Sequence, residues 1–368
     1  VQAEIGELKM EGDIVKARKE EGYRDALGGI LNRYFEKGDK ESVQRVAAFL
    51  DAVQTGEGDY VVVEEGANAL KQRYQHFQEK PQLVDGLTRI LVPFILSSSL
   101  SLNDVTLRKS IFGVLCVVVK VNKPKIVKRY MPHDVSLVEP VSKKLIAKDG
   151  ERTWEELYIL LLWMAVLVLV PFPLDSLDSS SDKTMVSSLL RVAELEMGAG
   201  GKPREASADL LSRILSRKET DNDTRSKFII SHLDSLSSST TSVYLRLGIL
   251  QTFSLLLRHC ERNVISPFLE KLQNITIFVF ENPQSVSNVR KLCAKVVQRI
   301  ALLLLPNRSI AWAYNRGARI LKLRTVVSPR ETGKYNQLNG GIHSLKETER
   351  PELGVEKEEE EEEEEEEE

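Results

Sequence analysis

Five histidines and three cysteines are the residues from which metal or nucleophilic chemistry would have to be assembled, and their spacing argues against both. His76, His133, His232, His259 and His343 lie far apart, with none of the short intervals that a zinc site requires. His133-Asp134 is the one histidine–carboxylate neighbour pair. It follows Pro132 in an expected turn, where a structural or capping role outweighs general-base work. Cys116 sits within Val114-Leu-Cys-Val-Val-Val119, apolar surroundings that raise a thiol pKa rather than activate it. With Cys260 and Cys293 it makes an odd, widely spaced set on apolar helical patterns, which reads as buried free thiols. No Gly-x-Ser-x-Gly, Walker A or dinucleotide fingerprint occurs, and Gly198-Ala-Gly-Gly201 falls short of a phosphate cradle. The expectation is a protein that is not an enzyme, without catalytic residues, cofactor or metal.

Charge offers more than nucleophiles do. The chain carries a formal −3, yet residues 356–368 hold twelve Glu and one Lys, a net −11, so residues 1–355 carry +8. A basic body suits an acidic protein, a nucleic acid or an anionic surface, and charge alone does not choose among them. Two clusters concentrate it. Lys120, Lys123, Lys125, Lys128 and Arg129 gather around a turn. The second comprises Arg308, Arg316, Arg319, Lys322, Arg324, Arg330 and Lys334, with Glu331 the only acid between positions 307 and 334. Trp312 and Tyr314 lie within it, aromatic types common at interface hot spots. The predicted partner-binding residues are therefore Arg308, Trp312, Tyr314, Arg316, Arg319, Lys322 and Arg324, against the plainer reading of a solvated face.

The elements that must position these residues are helices. Leu157 to Val170 carries no charge and is apolar all round, so it must be covered on every side. Fourteen residues at helical rise span about 21 Å, short of a hydrocarbon core of about 30 Å. Glu155, Glu156, Pro171 and Pro173 block extension, so the segment reads as a buried core helix rather than a membrane anchor. Helical patterns are expected near 61–79, 83–97, from Asn103 or Asp104 to about Val121, near 204–217, 225–237 and 243–260, and from Ser266-Pro267 to about Phe280. From Val289 to Leu304 the apolar residues share one face at 100° per residue. Many helices joined by short turns, without exact repeats, predict an all-α HEAT/armadillo-type α-solenoid over 22–327, with a compact bundle as the alternative. Residues 1–21 are expected to be flexible. A disordered linker and acidic poly-Glu tail are expected at 328–368. The polar start lacks the apolar core of a signal peptide, and the missing initiator Met and poly-Glu end suggest a fragment.

Six collinear segments carry a family resemblance. Tyr74-Gln-His-Phe-Gln-Glu-Lys-Pro-Gln-Leu-Val-Asp85 is the first, and Arg129-Tyr-Met-Pro-His-Asp-Val135 the second, with Met131 and Asp134 departing from the pattern. The third begins Trp154-Glu-Glu-Leu-Tyr158 and continues through Leu160-Leu-Leu-Trp163 to Val170-Pro-Phe-Pro-Leu-Asp175. Arg204-Glu-Ala-Ser-Ala-Asp-Leu-Leu-Ser-Arg213, Lys295-Val-Val-Gln-Arg-Ile300 and Ala311-Trp-Ala-Tyr-Asn-Arg-Gly-Ala-Arg319 follow. Together they resemble the N-terminal part of the tubulin-specific chaperone D, or tubulin-folding cofactor D, family. The resemblance implies a HEAT-like scaffold that binds β-tubulin and assists αβ-heterodimer assembly in the cytoplasm, at the microtubule cytoskeleton. It also implies partnership with tubulin-folding cofactors E and C and an Arf-like small GTPase, and GTPase activation only within that complex. Neither nucleic acid nor integral membrane insertion is expected. A generic HEAT-repeat adaptor of the transport or phosphatase type and a membrane-associated helical protein are the alternatives. Family members are several times longer than this chain, which bears on whether it carries the complete activity.

Overall fold

A computed structural model of the chain describes residues 34–35 and 39–305, apart from 148, 149, 151, 181 and 239. The expectations for 1–21, for 328–368 and for the boundary at 327 lie outside the described residues. The described helices all fall within the unit Val1–Pro306. Those longer than two turns are α1 (Lys40–Thr55), α2 (Tyr60–His76), α3 (Asp85–Ser99), α4 (Val105–Asn122), α5 (Val138–Ile146) and α6 (Trp154–Leu167). They continue as α7 (Met185–Met197), α8 (Lys202–Ser216), α9 (Asn222–Ser237), α10 (Val243–His259), α11 (Leu269–Glu281) and α12 (Ser287–Leu304). No strand occurs among the described residues; Tyr60-Val-Val-Val63 opens α2.

Six of these helices begin on a capping side chain. Asp39, Asp59, Asp104, Asp221, Thr153 and Ser242 each accept a hydrogen bond from a first-turn backbone N–H, satisfying a donor that the helix cannot. Thr153 with Glu156 has the spacing of a capping box, and Thr153 Oγ1 accepts from the Glu156 N–H at 3.3 Å. By contrast, α3 and α11 follow 3-10 turns that start at or beside Pro81 and Pro267 and have no side-chain cap. The second case corrects the expected start at Ser266-Pro267. A helical turn at Arg262–Ile265 already precedes it, and α11 proper begins at Leu269.

Pairing of successive helices builds two layers. The even helices pack side by side, α2 on α4, α4 on α6, α6 on α8, α8 on α10 and α10 on α12. The odd helices cover them in twos, α1 with α3, α5 with α7 and α9 with α11. This is a helical-repeat array, the all-α solenoid predicted from the pattern. Helix α6 lies in the even layer between α4 and α8, under α5, which is why it can be apolar all round. Trp163 at its centre is fully buried, and its Nε1–H donates to the Pro132 carbonyl at 2.7 Å. No helix among the described residues is long and apolar enough to cross a membrane. Close approach between neighbours needs a small residue at Gly66, where an added Cβ would lie 2.3 Å from the Arg45 carbonyl oxygen of α1.

The first three segments that carry the family resemblance meet one another in space. The Tyr130 hydroxyl donates to the Asp85 carboxylate at 2.8 Å, tying the second segment to the first. Pro132 of the second accepts from Trp163 of the third. Tyr74 is fully buried and shares a hydrogen bond with Thr88, which also accepts from Asn122, so one polar chain joins α2, α3 and α4. Arg217 donates to the carbonyls of Val168, Val170 and Phe172, holding the Val-Pro-Phe-Pro turn after α6. Glu219 accepts from Arg217 and from the Leu174 N–H at 3.1 Å. The first three of these segments are thus joined to one another across the array.

Candidate partner-binding groove

The even layer leaves a groove of about 580 Å³ on the surface shared by α2, α4, α6 and α8. Its floor and walls include Gly113, Cys116, Val117 and Val119 of α4, with Pro124 just beyond, and Tyr158 of α6. Four lysines stand around it: Lys71 from α2, Lys120 and Lys123 from the end of α4, and Lys202 from the start of α8. Trp154, the first residue of α6, lines the same groove and is 55% exposed. Glu155 is the carboxylate among the lining residues.

Each of these positions has a local cause. Helix α4 stops at Asn122 because Pro124 cannot continue it, and Lys123 turns the chain with φ 69° and ψ 146°. That backbone region is close to one held almost only by glycine and costs about 1–3 kcal/mol for a side-chain-bearing residue. Gly113 leaves room for Lys71: an added Cβ would come within 3.3 Å of its Nζ. Lys202 is the first residue of α8, paired with Glu205 at 3.0 Å. Trp154 stays outside because the Thr153 cap sets the start of α6, placing Trp154 at the mouth and Tyr158, one turn on, inside.

The basic cluster read at 120–129 is split by the fold. Lys120 and Lys123 face the groove, while Lys125 is exposed outside the lining. Arg129 lines a separate cleft of about 500 Å³, with Phe94 of α3 and His133, Asp134 and Leu137. Lys128 departs from the surface reading altogether. It turns inward onto Asp209 of α8, which also receives Arg213 at 2.9 Å. Burial lowers the Lys128 pKa, with Asp209 opposing the shift. Burial pushes the Asp209 carboxyl up, but Lys128 and Arg213 outweigh it and hold it below its ordinary 3.8.

The predicted partner-binding residues Arg308, Trp312, Tyr314, Arg316, Arg319, Lys322 and Arg324 lie outside the described residues. Lys71, Trp154 and Lys202 were missed as site residues because they stand far from Lys120 in sequence and only helix stacking gathers them. The usable signal was Trp154, a large aromatic directly behind a capping threonine and ahead of the apolar run.

The remaining reactive side chains are placed as follows. Burial, then the neighbouring Glu155 charge, pushes the Cys116 thiol up to about 12, and Cys293 is raised to about 11 by burial. His133 is exposed, and Asp134 caps the following turn through its carbonyl, which accepts from Leu137 N–H at 3.0 Å. Ser212 and His259 lie 3.2 Å apart across α8 and α10, and burial lowers the His259 pKa. Among the described residues no group of three or more His, Cys, Asp or Glu is placed to hold a metal ion.

Comparison with known proteins agrees with the architecture. Residues 74–236 match the family described as tubulin-specific chaperone D-like, ARM repeat. The chain is 29% identical over 282 residues to tubulin-folding cofactor D of Schizosaccharomyces pombe, a match covering 74% of this chain and 24% of that protein. It is 26% identical over 206 residues to tubulin-specific chaperone D of Dictyostelium discoideum, covering 47% of this chain and 14% of the other. The chain thus spans about a quarter of the length of the fission-yeast relative. No solved structure matches.

Proposed function

We propose that this chain is a tubulin-folding scaffold whose repeats capture β-tubulin during assembly of the αβ heterodimer. The observation that carries the reading is the match of residues 74–236 to the chaperone D-like ARM repeat, in a fold whose interlocking segments are those that resemble the family. Helical arrays of this kind present extended surfaces made from successive repeats, which suits holding a large folding intermediate. Partnership with cofactors E and C and with an Arf-like small GTPase, action in the cytoplasm at the microtubule cytoskeleton, and GTPase activation within such an assembly belong to the same proposal. They rest on the resemblance.

Immobilised full chain incubated with cytosol tests the first step, with bound α- and β-tubulin quantified by mass spectrometry. Retention of β-tubulin in excess over α-tubulin is the expected result. Recovery of neither, from cytosol or from purified tubulin, overturns the proposal. A basic body meeting an acidic protein also predicts salt sensitivity, expressed mainly in the association rate.

A further inference from the structure

We infer that the groove framed by α2, α4, α6 and α8 docks an acidic peptide segment bearing one aromatic or aliphatic side chain. This goes beyond the tubulin reading, because any acidic segment with such a side chain satisfies it. The lining itself states the chemistry. Its floor is apolar, from Val117, Val119 and Pro124, and the exposed Trp154 ring stands at its mouth. The charge around it is unbalanced, four lysines against Glu155. Lys71, Lys120 and Lys123 have no carboxylate within ion-pair distance among the described residues, and Lys202 shares Glu205 on its own helix.

The volume lies within the range of about 300–1,000 Å³ typical of ligand pockets. Apolar surface in the centre with cations at the rim is the layout of a small interface, in which one inserted side chain supplies most of the affinity and the charges orient it. Lysines at separate points can meet successive carboxylates of an extended acidic chain. The planar forks used for paired phosphate oxygens are absent from the lining, which contains no arginine. Lys123 is held at the rim in backbone geometry that favours glycine, so a cation is kept where glycine would fit the chain better.

The test uses the full chain and a fluorescein-labelled peptide of glutamates flanking a single phenylalanine, read by anisotropy at low salt. Lys120→Glu with Lys123→Glu is expected to weaken binding about tenfold or more. The same change of charge at Lys291→Glu with Lys295→Glu, on the exposed side of α12, is expected to alter it less than about twofold. Lys123→Gly removes one cation while suiting the local backbone, so this variant folds and still binds several-fold more weakly. Trp154→Ala is expected to abolish the preference for the phenylalanine peptide over its serine counterpart. Equal loss in both double variants, or no preference for phenylalanine in the native chain, overturns the inference. Capture by phosphatidylserine vesicles through Lys120 and Lys123, with no peptide binding, overturns it in favour of a lipid surface.

Discussion

Lys128 shows how little a residue's type says about its task. Five neighbouring cations look alike in sequence, yet this one leaves the surface for Asp209, where side-chain exposures of 17% and 14% make the pair largely dry. Removing one member of such a pair strands the other charge, whereas removing both together leaves little behind. Asp209→Asn is predicted to cost about 3 kcal/mol at neutral pH, from Lys128 and Arg213 together. Lys128→Met combined with Asp209→Leu should recover only part of that loss, measured from urea unfolding midpoints, because Arg213 still loses its carboxylate. The pH dependence has a definite sign. The Asp209 folded pKa is depressed, so its contribution is fully present above the unfolded value of 3.8 and is lost as pH falls through the folded value. The Asp209→Asn variant should lack that acid-side component.

Helix ends in this array are closed by a recurring arginine. Arg152 donates to Lys144, Arg225 to Arg217, Arg246 to Ser238 and Arg290 to Asn282, each reaching a backbone carbonyl eight residues earlier. The last carbonyls of a helix have no partner within it, and a guanidinium can serve several at once. Arg225 is the most enclosed example. Its Nε donates to Leu215 at 2.7 Å and its Nη2 to Arg217 and Thr220 at 3.0 and 3.1 Å, while Nη1 holds Asn222 at 2.6 Å. Arg225→Met keeps the apolar stem and removes the donors, leaving several buried carbonyls unserved. The expected cost is about 2–4 kcal/mol, and hydrogen exchange should rise first at the end of α8 and the start of α9. Arg225→Lys should recover only part of it, because one ammonium cannot span the same acceptors.

Across the described helices the stacking is between neighbours, so stability is held locally and summed along the array. Leu272 of α11 is 1% exposed, and α11 contacts α9 and α12. Leu272→Ala is predicted to destabilise by about 3 kcal/mol. Hydrogen–deuterium exchange should accelerate through α9, α11 and α12, with protection in α1, α2 and α4 unchanged. Equal acceleration in α2 would show that the array unfolds as one cooperative unit instead.

Much of this organisation was legible along the chain because it rests on short-range chemistry. Capping side chains, prolines and the 3.6-residue period specify that a helix starts at Asn103 or Asp104 and which face of 289–304 is apolar. The uncharged run from Leu157 sufficed to predict a buried helix, but that helix ends at Leu167, ahead of Pro171, and Leu169 beyond it is 59% exposed rather than covered. Only the tertiary structure decided which neighbour covers each face. The preceding turn from Arg262 moves the start of α11 past Ser266-Pro267. The cluster from Lys120 to Arg129 divides among a groove, a second cleft and a buried ion pair. Lys71, Trp154 and Lys202 join Lys120 and Lys123 across more than a hundred residues of chain. Local propensity sets a helix and its phase, but the rotation of one helix against the next depends on side-chain packing between distant segments, and that rotation determines which charges share a surface.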